Sequence, residues 1–328
     1  MHGWLVIDKP VGPGSTEIVS KVKRALRDGG YPKVKVGHGG TLDPLASGVL
    51  PVALGEATKL AGRMLDADKV YDFTIRFGQQ TDTLDAEGSV VQTSSVRPRR
   101  QHLEETLQRF TGPQQQVPPT YSALKIRGKR AYDLARSGAS VVLAPRAIIV
   151  QSLILLRAVP VRSEGGLPQI DLSTGSMRSY FDHQRAAHAG QYERVCEITL
   201  RASVSKGTYI RSLARDIALA LGTVGHVTML YRAKAGPFTH EQAISLDKLA
   251  DLAKAHSLEQ ALLPLTAGLD DIPALPVTPD QAGALRQGRE VIGIAAKPGL
   301  HLATDGSVPV ALVELHGGNL RVVRGFNL

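Results

Sequence analysis

The run Gly37-His38-Gly39-Gly40-Thr41-Leu42-Asp43-Pro44-Leu45-Ala46-Ser47-Gly48-Val49-Leu50 most constrains what this chain can fold into. Four of its first twelve residues are glycine, and each glycine weakens a helix or strand interior by roughly 0.5–1 kcal/mol relative to alanine. The run reads as a loop that a scaffold must hold, the kind of segment on which catalytic groups are often carried. Local sequence leaves two readings of its carboxylate. Asp43 followed by Pro44 fits a helix N-cap with proline at the first helical position. A lone carboxylate on a held loop also fits a nucleophile or a general base.

The scaffold is legible as alternating elements. Trp4–Ile7 reads as a strand, and Ser15 as the N-cap of a helix from about Thr16 to Arg27, with Ile18, Val19, Val22, Ala25 and Leu26 on its apolar face. Ala57–Leu65 reads as a helix. Val70–Phe77 alternates strictly, with Tyr71, Phe73, Ile75 and Phe77 on one face, as in a half-buried strand. The polar, acidic stretch 78–88 is a loop or long hairpin turn. Pro98 suits the first position of a helix to about Phe110, with Gly112 capping its end. Ile148–Leu156 and Val195–Val204 read as strands, and between them the pattern fails over 157–194, an excursion from the scaffold. After Lys206-Gly207 a helix runs to Gly222, then a short strand, His226–Arg232, and a helix from Leu246 to about His256. Leu269–Pro276 reads as a linker. Beyond it come a helix, Pro279–Gln287, and short strands at Val291–Ala295, Val310–Leu315 and Leu320–Arg324, a compact β-rich module.

Composition narrows the chemistry. At 328 residues the chain has room for two domains. The formal charge is +9, and between Ser94 and Ala147 ten Arg/Lys stand against three Asp/Glu, an excess that suits a phosphate-rich partner. The single cysteine, Cys196, excludes an intramolecular disulfide framework and a Cys-rich zinc site, and weakly favours a reducing compartment. The N-terminus carries no long apolar run, so no signal peptide is expected, and no stretch approaches the ~20 apolar residues of a membrane span.

Motif tests then remove several enzymes. Gly39-Gly40-Thr41 lacks the lysine of a Walker loop, and Leu42 stands where a dinucleotide fingerprint needs its third glycine. There is no Gly-x-Ser-x-Gly elbow and no His-Glu-x-x-His. His183 and His188 lie five apart in the excursion with no acidic ligand patterned beside them, which reads as exposed loop histidines rather than a metal site.

Read whole, Gly37 to Pro51 resembles the signature of the TruB-type pseudouridine synthases. Asp8-Lys9-Pro10, Leu54-Gly55-Glu56-Ala57-Thr58-Lys59, Gly78 to Thr83 with Asp85-Ala86-Glu87-Gly88, Tyr121 to Lys125, and Lys206-Gly207-Thr208-Tyr209-Ile210-Arg211 match the same family in the same order. The resemblance implies a mixed α/β (α+β) catalytic domain with a largely antiparallel sheet over 1–268, the 157–194 excursion inserted in it, and a small PUA-like RNA-binding domain over 272–328. It implies isomerisation of uridine 55 to pseudouridine in the T-loop of tRNA, on a flipped-out nucleotide, without cofactor or metal, by a cytoplasmic monomer needing no protein partner. It aligns Asp43 with the catalytic aspartate, and Tyr71 with the tyrosine that stacks on the target base. Arg211 aligns with the arginine that pairs with the aspartate, His38 with the histidine that fills the space left by the flipped nucleotide, and Tyr209 and Leu230 with residues lining the uridine pocket. Rival readings are a synthase for another RNA, an RNA-folding factor in which catalysis is dispensable, and a phosphate-loop enzyme. The strand pattern alone would make Tyr71 and Leu230 core, and would leave Arg211 a solvated side chain at a turn.

Overall fold

The computed structural model describes residues 1–122, 124–126, 128–137, 142–161 and 193–328. They form two compact units, Met1–Ala67 with Ala233–Leu328, and Asp68–Arg232. Among the described residues no helix is long and apolar enough to cross a membrane. His183 and His188, with Arg162, Arg178 and Arg185 of the excursion, lie outside the described residues; Arg157 belongs to a strand that runs to Pro160.

In the first unit the strand Gly3–Lys9 pairs antiparallel with Ala46–Leu54, which also takes the short strand Val36–His38. Trp4, Leu5, Val6 and Ile7 form a continuous apolar run, and all four are buried, as expected of a strand covered on both faces. The helix Ser15–Asp28 buries Ile18, Val19, Val22 and Leu26 and packs on the helix Leu246–Lys254. Its N-cap is Gly14 with no side-chain cap bond, so Ser15 is not the cap that its sequence position suggests. The expected helix over Ala57–Leu65 is split into a 3-10 turn, Gly55–Leu60, and a short α-helix, Ala61–Asp66.

The C-terminal residues of this unit form a four-stranded sheet: Ala274–Pro276, Gly299–Asp305, Val308–His316 and Asn319–Gly325, in that order. Its two faces feed two cores. Leu302, Leu312 and Phe326 join Trp4, Val6, Leu60, Met64 and Phe238, with the Trp4 and Phe238 rings 5.1 Å apart. Ala303, Val313, Leu315 and Leu320 instead pack with Ala282 and Leu285 of the helix Pro279–Arg286. Two expectations fail here. The stretch read as a linker contains an edge strand, parallel to Gly299–Asp305, where the prolines that suggested a linker are tolerated. Val291–Ala295 is not a strand: Val291 makes one bridge, to Leu320, and Gly293 at φ 82° turns the chain away.

The second unit is built on a sheet whose order is Gly225–Ala235, Lys69–Phe77, Val195–Val204, Arg146–Pro160, Gly112–Gln116. The last three pairings are antiparallel. The acidic stretch after Phe77 closes as a hairpin, Gln79–Thr81 on Val90–Thr93. Leu103 and Leu107 of the helix Arg100–Arg109, and Ile210, Leu213, Ala214 and Ile217 of the helix Ile210–Ala220, supply the buried stripes. Pro98 is not inside its helix. Its carbonyl accepts from the Val195 N–H while Arg99 bridges Arg194, so the segment is held extended and the helix starts two residues later. Gly112 likewise opens a strand, at φ 94°, rather than capping the helix.

Candidate active site

The glycine-rich run is a short loop between two strands. Gly37 and His38 belong to the strand Val36–His38, and everything from Ala46 onward is strand. The Gly39 N–H still donates to Pro51 O at 2.8 Å; the chain then leaves the sheet at Gly40, φ 133°. It returns through a turn at Pro44-Leu45, closed by Ala46 N–H to Asp43 O at 3.1 Å. Asp43 therefore caps no helix; the proline after it starts a turn, for which its fixed φ is equally suited. Gly39 is required by packing, since a Cβ there would stand 2.7 Å from Cβ of Met64. That space is occupied by protein, whereas the space beside Gly37 is open.

The loop is pinned by buried polar groups on both sides of Asp43. On one side the Ser15 hydroxyl accepts from the Leu42 N–H at 2.7 Å and donates to Leu42 O at 3.1 Å, both residues being buried. On the other, the Gly12 N–H donates to Pro44 O at 2.9 Å. Lys9, fully buried, donates from Nζ to the carbonyls of Pro10 at 2.9 Å, Pro44 at 3.3 Å and Ala46. A buried ammonium is tolerated only when its donors are satisfied, and charge-assisted bonds to three carbonyls do that. Asp43 itself is half-buried, and so is His38, whose Nδ1 lies 3.4 Å from the Gly40 N–H.

In the second unit Arg211 occupies the first turn of the helix Ile210–Ala220, and it is buried rather than solvated. Its guanidinium donates to Thr83 O at 2.9 Å and Tyr121 O at 3.0 Å, and lies 3.3 Å from the Asp85 carboxylate. Asp85 is buried too. Its other oxygen accepts from the Thr83 hydroxyl at 2.5 Å and the Glu87 N–H at 3.1 Å. The turn that presents these groups contains Leu84 at φ 64°, a left-handed conformation that costs a bulky residue about 1–3 kcal/mol and persists only where the surroundings enforce it. Here the Leu84 carbonyl accepts from the Val227 N–H at 3.0 Å.

Tyr209, just before that helix, is fixed by an amide: Gln116 Oε1 accepts from its N–H at 2.8 Å and Gln116 Nε2 donates to its carbonyl at 3.1 Å. The Arg146 guanidinium sits 6.0 Å from its ring centre, within the range of a cation–π contact. Tyr71, third in the strand Lys69–Phe77, is half-buried, while Phe73 and Ile75 further along are fully buried, so the apolar face becomes core beyond the tyrosine. Leu230 is buried on the neighbouring strand.

Thus His38 ends the strand that leads into the Asp43 loop and Tyr209 and Arg211 share one helix start, while Tyr71 and Leu230 stand on adjacent strands. Sequence marks Ser15 only as a helix cap and gives Asp85, Gln116 and Lys9 no role in the site. Asp85 and Lys9 carry a signal, each standing inside one of the ordered family blocks.

The family model described as the TruB family pseudouridylate synthase N-terminal domain matches residues 27–174, and that of the tRNA pseudouridylate synthase B C-terminal domain matches 211–270. The tRNA pseudouridine synthase B of Novosphingobium aromaticivorans is 57% identical over 328 residues, covering 100% of this chain and 98% of that protein. The chain belongs to the TruB family of pseudouridine synthases. The synthase of Rhodospirillum rubrum with the same name is 43% identical over 338 residues, covering 100% of this chain and 97% of its own length. A chain in the crystal structure of a Cbf5-Nop10-Gar1 complex superposes with a TM-score of 0.68 at 25% identity, covering 99% of this TruB-family chain and 85% of the other. A chain of an H/ACA RNP bound to a substrate RNA containing 2'-deoxyuridine gives a TM-score of 0.66 at 23% identity, with the same coverage. The mixed α/β fold with largely antiparallel sheets and a C-terminal β sheet is the one the resemblance implied.

Proposed function

We propose that this protein isomerises uridine 55 of tRNA to pseudouridine with Asp43 as the reacting carboxylate. The observation that carries this reading is the full-length relationship to synthases named for tRNA, joined to a loop whose fixed points, Leu42 and Pro44, flank Asp43. The reaction breaks the N1–C1′ bond, turns the uracil and forms C5–C1′; C5 releases a proton and N1 gains one. Atoms and electrons balance within the substrate, so no redox partner enters. Asp43 opens the sequence, by attack on ribose or base or by removing a ribose proton. Tyr71 stacks on the base and is the candidate acceptor of the C5 proton.

We assign Arg211 to pair with the Asp43 carboxylate, His38 to the space left by the flipped nucleotide, and Tyr209 and Leu230 to the uridine pocket. Extruding the nucleotide costs a few kcal/mol, which an aromatic platform partly offsets. On the same reading, 1–268 is the catalytic domain and 272–328 a PUA-like RNA-binding domain. The protein works as a monomer on the T-arm in the cytoplasm.

The test is to map pseudouridine in tRNA incubated with the protein and with Asp43→Asn. The variant should form none, while its tRNA affinity stays within about tenfold, or 1.4 kcal/mol. Turnover by Asp43→Asn would refute the catalytic assignment; modification away from position 55 would refute the substrate. Binding should weaken with salt, because phosphate contacts release counterions.

A further inference from the structure

Basic surface is expected of an RNA enzyme, and sequence placed the densest positive stretch between Ser94 and Ala147. The structure draws attention to another. In the first unit a groove of about 1130 Å³ is lined by Lys23, Arg24 and Arg27 on one wall and Tyr31, Lys33 and Lys35 on the other. The helix wall is a true face: Ser20, Lys23, Arg24 and Arg27 recur at intervals of three and four, so their side chains stack along one side of the helix Ser15–Asp28. The opposite wall is the extended segment that runs into the strand Val36–His38.

No carboxylate lines this groove. Arg27 pairs with Asp28, but Lys23, Arg24, Lys33 and Lys35 have no ion-pair partner among the described residues. Elsewhere on the same helix the sequence does supply a partner, as in Lys21 with Glu17 at 3.4 Å. The four are exposed and line one concavity, so a polyanion crossing the groove would meet them all. Tyr31 is held in place, its hydroxyl accepting from the Leu258 N–H at 2.9 Å.

Both walls lead to the Asp43 loop. The helix begins at Ser15, which binds Leu42, and Lys23 to Arg27 lie about 12–18 Å along the axis at 1.5 Å per residue. The other wall continues through His38 into the loop itself. We propose that this groove holds the sugar–phosphate backbone of the substrate RNA at nucleotides away from the target uridine. The proposal rests on the tRNA reading above. A single phosphate or small anion would leave most of the groove and most of its charges unused.

The experiment compares wild type, the quadruple variant Lys23→Ala/Arg24→Ala/Lys33→Ala/Lys35→Ala, and a charge-keeping variant, Lys23→Arg/Arg24→Lys/Lys33→Arg/Lys35→Arg. Each is measured for tRNA affinity across a salt series and for pseudouridine formation, with folding checked by circular dichroism. Each phosphate contact contributes about 0.7–0.9 to the slope of log K against log salt, so the quadruple alanine variant should lose about three from that slope. Its affinity should fall by at least about tenfold, mostly as a rise in KM. The charge-keeping variant should bind within about threefold of wild type, because counterion release depends on the positive charge that either residue brings to a phosphate. An alanine variant that is folded and keeps wild-type affinity and slope overturns the groove, and so does a charge-keeping variant that binds as poorly as alanine. If wild type itself neither binds nor modifies tRNA, the tRNA reading fails and the groove assignment falls with it; a failing groove beside an active wild type leaves that reading standing.

Discussion

Ser15→Ala isolates the clamp on the catalytic loop. The substitution removes one oxygen, adds nothing, and touches a residue whose side chain faces protein rather than RNA: Ser15 is 3% exposed, and its hydroxyl both receives from and donates to Leu42. Two hydrogen bonds at about 1 kcal/mol net each set the loss near 2 kcal/mol. Leu42 is itself only 3% exposed, so water does not readily replace the hydroxyl, and an unsatisfied N–H and C=O carry the loss toward about 4 kcal/mol. The loop relaxes to recover those bonds, and the next residue is Asp43. A displacement near 1 Å at a reacting group costs up to about a hundredfold in rate. The expected result is a ten- to hundredfold fall in the single-turnover rate of pseudouridine formation at saturating tRNA, with KM changed less than about threefold. Urea denaturation measures the stability cost separately. A variant destabilised as expected but turning over within twofold of wild type would refute the claim that this hydroxyl positions Asp43.

Other outcomes follow from the same geometry. Asp85→Ala leaves the buried Arg211 guanidinium without this carboxylate and should cost about 3–5 kcal/mol in urea denaturation; Asp85→Asn, which keeps the acceptor for Thr83 and Glu87, should cost markedly less. Gly39→Ala places a Cβ 2.7 Å from Cβ of Met64 and should cost about 1–3 kcal/mol through overpacking, with a relieving effect on that contact from Met64→Gly in the double variant. Burial alone would raise the pKa of Glu56, but bonds from Lys59 and the Asn327 N–H, with Lys59 and His2 charges, hold it below the usual 4.5. The Glu56 contribution is therefore present above that value and lost as pH falls through the depressed pKa. Glu56→Gln should be less stable than wild type at pH 7 and converge with it as pH falls through the depressed pKa; a gap that persists in acid would show that charge is not the cause.

How much of this could be read in the sequence depended on how local the cause was. Strands with strict alternation, such as Val70–Phe77, and helices with a clear stripe, such as that of Ile18, Val19, Val22 and Leu26, are written in spacing and were found within a few residues. Ser15, Pro98 and Pro44 were misread for one reason. Each has the right chemistry for a helix start, but a tertiary partner claims it: Leu42 holds the Ser15 hydroxyl, Val195 the Pro98 carbonyl, and Gly12 and Lys9 the Pro44 carbonyl. The sequence offers Val291–Ala295 as a strand and gives no sign of Gly299–Asp305, because short apolar segments in a small module look alike until their pairing is known. Arg211 shows the limit most clearly. A turn arginine reads as solvated, and its burial comes from Asp85, Thr83 and Tyr121, more than ninety positions away in two of three cases.

The glycines that first mark the run explain less of the site than the polar groups around it. Glycine permits the backbone at Gly40 and Gly48 and the packing at Gly39, but permission does not fix a position. What fixes the Asp43 loop is a hydroxyl and an ammonium buried at its two ends, and what fixes Arg211 is a buried carboxylate and two carbonyls. Such groups are costly to bury and lose nearly all their value when a partner shifts, so they hold one arrangement and penalise near alternatives. Apolar packing of the same segments would tolerate slippage of a fraction of an ångström. A reaction that detaches a base and rejoins it through another atom requires the reacting carboxylate to keep its place while the substrate turns. Clamping the loop backbone at Leu42 and Pro44 meets that requirement through main-chain bonds on either side of Asp43.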